Sequence, residues 1–76
     1  MSLVLYHRID DQDSAAVRRR VVELGLKASI DFQNVDTDGA AAFAAHGGGR
    51  VPALWDGERL RVGKGDVLAA LETLRR

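Results

Sequence analysis

The sequence predicts an α/β domain: one four-stranded mixed sheet with helices on both faces, in the order β-α-β-α-β-β-α. Three observations lead there. The first is the opening run Leu3-Val4-Leu5-Tyr6, continuous in apolar side chains as a strand buried on both faces must be. The second is the change of period after it, with Val17, Val21 and Leu24 at i, i+4 and i+7 on one helical face. The third is the stretch from Gly47 to Gly57, where a glycine triplet stops a helix and Pro52 leads a short apolar run. A strand, a helix and a second strand at the start imply a right-handed parallel crossover. The pair of short strands near the end implies an antiparallel hairpin.

The elements follow in order. Asp10, Asp11 and Asp13 crowd the start of the first helix, where carboxylates accept free backbone N–H groups and meet the positive end of the dipole. Gly25 ends that helix. Ile30 and Phe32 alternate with polar neighbours and Val35 lies just beyond, which gives the second strand. A short alanine-rich helix is expected over residues 38–46, capped by Asp36, Thr37 or Asp38 and held mainly by Phe43. Asp56-Gly57 is the favoured pair for a two-residue hairpin between Ala53–Trp55 and Leu60–Val62. Val67, Leu68, Leu71 and Leu74 form the last helix, with Asp66 as its cap and Arg75-Arg76 at the favourable end of its dipole.

Composition limits what such a domain does. Residues 1–76 make a single domain with 46% hydrophobic residues, enough for a modest core. Eleven basic and eleven acidic side chains cancel, so no nucleic-acid partner is expected. No apolar run approaches the roughly 20 residues that span a bilayer, and the opening residues do not read as a secretory signal, so no membrane partner and a cytoplasmic location are expected. Cysteine is absent, which removes disulfides, thiolate metal sites and cysteine nucleophiles together.

Tyr6, the helix end Leu24-Gly25-Leu26, the pair Val51-Pro52 and the turn from Gly63 to Asp66 stand in an order and at a spacing that resemble the glutaredoxin branch of the thioredoxin superfamily. The N-terminal domain of glutathione transferases shares that fold. The resemblance covers essentially the whole chain and implies a thioredoxin-like fold with a cis Val51–Pro52 bond. It places the family's Cys-x-x-Cys or Cys-x-x-Ser motif on Asp11-Gln12-Asp13-Ser14, with Asp11 at the nucleophile's position. Thiol–disulfide exchange needs an attacking thiolate, and a carboxylate forms no mixed disulfide. Asp11 reads instead as a permanent anion on the backbone donors that would hold a thiolate at a helix N-terminus.

The resemblance also implies a glutathione site. Arg8 stands where a basic residue meets the glycine carboxylate, and the Val51 backbone, before Pro52, pairs with the ligand like an added strand. Gly65 to Val67 offer a helix N-terminus to the γ-glutamyl carboxylate, and Asp66 meets its amino group. Arg50 replaces a smaller polar residue, and Asp11 and Asp13 put negative charge beside an anionic ligand. The plainer readings are a solvated Arg8 and a merely capping Asp66. Three carboxylates at a helix start are likewise more often caps than ligands for a hard cation. Ser14 as a nucleophile lacks a base placed by sequence. Neither His7 nor His46 is assigned a catalytic role, since His46 suits a helix C-terminus. Arg18-Arg19-Arg20 fan over about 200° of helix surface and read as a solvated flank. Trp55 with Tyr6 would form the apolar part of a groove beside Pro52 if both were exposed.

The functional expectation is a cysteine-free, redox-inactive binding or adaptor module without catalytic residues, metal or resident cofactor. Its partner would be a small thiol peptide such as glutathione, or an extended segment of another protein, taken at Val51-Pro52 by a monomer or weak homodimer. The alternative is a glutathione-transferase-like unit in which Asp11, Gln12 or Ser14 activates the bound thiol.

Overall fold

The computed structural model describes residues 3–74. They run β1 (Leu3–His7), α1 (Gln12–Glu23), a 3-10 turn (Lys27–Ser29), β2 (Ile30–Asn34), α2 (Ala40–Ala45), β3 (Ala53–Trp55), β4 (Leu60–Val62) and α3 (Lys64–Leu74). Arg75 and Arg76, expected at the basic end of the last helix, lie outside the described residues. The strands form one mixed sheet in the order β2-β1-β3-β4. β1 pairs in parallel with β2, Leu5 opposite Phe32, and antiparallel with β3, Leu5 opposite Leu54. β3 and β4 form the hairpin, Leu54 opposite Arg61.

Successive side chains on a strand point to opposite faces, so an apolar run on a central strand feeds two cores. Leu5 packs with Leu54, Val17 and Val21 of α1 and Val67 and Leu71 of α3. Tyr6, the next residue, packs on the other face with Ala53, Val35 and Phe43 of α2. The Tyr6 and Phe43 ring centroids are 5.2 Å apart. Leu5, Val17, Val21, Val67 and Leu71 are wholly buried, which is worth about 1.5–3 kcal/mol for each of the larger side chains. α1 and α3 thus share one face, joined at their edge by Arg20, which reaches both Glu23 and Glu72.

Several local expectations shift by a residue or two. The first helix begins at Gln12 with Asp11 as its N-cap, and it closes as predicted at Gly25, where Gly25 N–H donates to Val22 O and Leu26 N–H to Val21 O. α2 is shorter than residues 38–46 and its N-cap is Gly39, with no side-chain cap. Asp38 is occupied elsewhere, accepting from the Asn34 N–H and the Thr37 hydroxyl, so it ties the loop instead of the helix. At the far end of α2, Gly47 takes φ 82° and donates its N–H to Ala44 O, while Gly48 N–H reaches Phe43 O. A side chain at Gly47 would be strained in that left-handed conformation.

The hairpin also slips. Its central residues are Gly57 and Glu58, not Asp56-Gly57, because Asp56 stays in line with Arg59 and donates its N–H to Arg59 O at 3.3 Å. The Asp56 carboxylate accepts from the Glu58 and Arg59 N–H groups, both at 2.9 Å, and Gly57 takes φ 99° at the first central position. α3 starts at Lys64, so Asp66 lies inside its first turn and is not the cap. The 3-10 turn at Lys27–Ser29 was not foreseen, three residues being too few to show a period.

Candidate functional site

The mouth of α1 is built from two residues that lock each other. Asp11 has extended backbone angles and its Oδ2 accepts the Ser14 N–H at 2.7 Å. The Ser14 main-chain N–H, and then its hydroxyl, hold the Asp11 carboxyl below the usual carboxylate range, with the Arg8 and Arg18 guanidiniums adding to the effect. Ser14 is wholly buried, and its Oγ accepts the Arg8 N–H at 3.2 Å. Asp11 is therefore a bound anion with its donors engaged. The Ser14 hydroxyl is thus engaged within the loop and is not presented to solvent. Asp10, Asp11 and Asp13 form no metal set: among the described residues no three His, Asp or Glu side chains converge in that way. Asp13 instead lies 3.8 Å from Lys64 Nζ, across to the start of α3.

The loop from β1 to α1 is fastened from behind by a residue that sequence reasoning assigned to solvent. Arg18 Nη1 donates to Arg8 O at 3.0 Å and lies 3.0 Å from His7 Nδ1, while Nη2 donates to Ile9 O at 3.3 Å. An arginine only donates, so Nδ1 of His7 is the acceptor and the imidazole proton sits on Nε2. His7 is buried, edge-on to Phe32. Burial lowers its pKa and the Arg18 charge lowers it further, with Asp38 acting in the opposite direction. Nothing in the residue spacing marked this pair, because Arg18 reaches a partner eleven residues back in the chain.

The residues expected to bind a ligand are placed as follows. Arg8 extends its Nε to Asp36, 3.1 and 3.2 Å from the two carboxylate oxygens, so it is exposed but already paired. Arg50 is exposed and forms no ion pair among the described residues. The Val51–Pro52 peptide is cis. Val51 is half-buried, and among the described residues its main chain makes no hydrogen bond; the Pro52 carbonyl accepts the Gly63 N–H at 2.9 Å. On α3 the Val67 N–H is spent on Gly63 O at 3.0 Å, which removes Val67 from the expected anion cradle. The N–H groups of Lys64, Gly65 and Asp66 remain without intrahelical acceptors, and Gly63 before them has no side chain to cap with.

The condition for an apolar wall from Tyr6 and Trp55, that both be exposed, is not met. Tyr6 is 2% exposed and belongs to the core beneath α2. Trp55 lies under His46, their rings stacked with centroids 3.7 Å apart. His46 does cap the C-terminal end of α2, as its position suggested. What the site offers chemically is a bound carboxylate, an unspent stretch of backbone at Val51, and three free N–H groups at the start of α3. No protein-family model matches the chain, and no curated protein matches it.

Proposed function

We propose that this chain is a glutaredoxin-like, thioredoxin-fold domain whose redox centre is replaced by a structural carboxylate, and that it works as a binding module. The observation that carries the reading is Asp11, an anion seated on the Ser14 N–H at the mouth of α1. That is where a thiolate would be stabilised by the same donors. The unpaired backbone at Val51 and the open N-terminus of α3 support the second half of the reading. They suit an extended segment, or a small thiol peptide such as glutathione, that adds a strand at Val51 and sets a carboxylate at Lys64 to Asp66. Arg8 joins in only by sharing Asp36, which makes the ligand weak. The transferase-like alternative finds no support in a Ser14 whose hydroxyl is buried and engaged.

Titration of reduced glutathione into isotope-labelled protein tests the small-ligand form of the proposal. The amides of Arg8, Val51, Gly65 and Asp66 are expected to shift together at millimolar ligand. If they stay in place while the rest of the spectrum is intact, glutathione is not the ligand.

A further inference from the structure

β4 is an edge of the sheet, and among the described residues no strand pairs with its outer side. The pairing alternation tells which groups face out. Asp56 with Arg59 and Pro52 with Gly63 are hydrogen-bonded pairs, so Leu54 with Arg61, midway between them, is one too. The main-chain groups of Arg61 therefore point inward to β3, and those of Leu60 and Val62 point to the free edge. Beside that edge lies a cleft of about 420 Å³ between β4 and α3, lined by Arg59, Leu60, Arg61, Val62, Asp66 and Ala69. Val62 is 36% exposed there.

We propose that this edge receives an extended segment of a partner protein with the pattern apolar–acidic–apolar, added antiparallel as a fifth strand. Two N–H and two C=O groups, from Leu60 and Val62, would hold its backbone. The residue facing Arg61 would then form a non-hydrogen-bonded pair, the type in which Cα atoms approach to about 4.5 Å and side chains are closest. A carboxylate suits that place. Among the described residues Arg61 is paired only with Asp56, at 3.7 Å, and Arg59, on the same face of the strand, is exposed without an ion pair. Asp66 on the far wall of the cleft penalises a second acid, which limits the pattern to one. The same geometry disfavours a second copy of this chain. Two-fold pairing of β4 with itself would set Arg61 against Arg61 at the closest type of pair, and a shifted register would leave one residue paired.

The test uses the full chain, isotope-labelled, and two end-capped pentapeptides, Thr-Val-Glu-Val-Thr and Thr-Val-Lys-Val-Thr. The glutamate peptide is expected to shift the amides of Leu60 to Val62 at millimolar concentration. It should bind at least about threefold more tightly than the lysine peptide, the scale of a cross-strand charge pair. In Arg61→Glu the preference should reverse. Equal binding of both peptides, shifts confined to Val51, or no shift on β4 overturns the proposal. So does concentration-dependent movement of the β4 amides without peptide, which would report self-pairing.

Discussion

Replacing Asp11 by alanine isolates the contribution of the carboxylate at the head of α1. The substitution deletes the acceptor 2.7 Å from the Ser14 N–H and leaves that donor, beside a wholly buried side chain, without its partner. Loss of an N-cap of this kind costs about 1 kcal/mol, within a range of about 0.5–2. For a domain of this length that lowers the melting temperature by about 4–8 °C. Asp11→Asn is the control, since asparagine caps about as well without the charge. It should lose only the dipole part, about 0.3–1 kcal/mol, and less at high salt. The pH dependence has a definite sign. The folded-state pKa of Asp11 is depressed, so its contribution is complete above the unfolded value of about 3.9 and drains away as pH falls through the folded value below it. Thermal melts followed by circular dichroism at neutral pH, and again towards pH 3, measure all of this. An alanine variant as stable as the parent would refute the claim that Asp11 anchors the loop. An asparagine variant as damaged as alanine would show that charge, not capping, holds it.

Three further outcomes follow from the same contacts. His7 has a depressed pKa, so stability should be flat above about pH 6.5 and fall below it, by at most about 1.4 kcal/mol per pH unit, as the unfolded chain takes up the proton first. In His7→Asn, which keeps an acceptor for Arg18, urea midpoints should lose that slope below about pH 6.5. Arg18→Ala frees the carbonyls of Arg8 and Ile9 and should cost about 1–3 kcal/mol, read as faster amide exchange in the β1–α1 loop. Gly48→Ala puts a methyl group into the Phe43 ring and should cost about 1–3 kcal/mol, whereas Gly49→Ala meets nothing within 4 Å and should be near neutral in the same denaturation assay.

The order of elements was readable because each carried its own period or stop: Leu5 and Tyr6 for the central strand, Val17 and Val21 for α1, Pro52 for β3. Asp11 was readable as a cap because capping is local, spanning three residues. What stayed hidden was settled by longer reach. Arg18 turned from solvent to the carbonyls of the preceding loop. Asp38 looped back to Asn34 and left α2 to start at Gly39. Asp56 used its carboxylate in place of a backbone acceptor and moved the turn by one residue. Tyr6 is core, as a strand buried on both faces requires, and the face it points to is covered by α2. For the residues expected to bind a ligand, the bonds they already make were not legible: Arg8 is taken by Asp36 and the Val67 N–H by Gly63.

β1 is an inner strand of the sheet, with a neighbour on each side. Leu3 to His7 must wait for Ile30–Asn34 on one side and for Ala53–Trp55, some fifty residues downstream, on the other. The partner on the second side is therefore made only after α1, β2 and α2. Removal of those few residues would part β2 from the hairpin and divide the sheet that the helices cover.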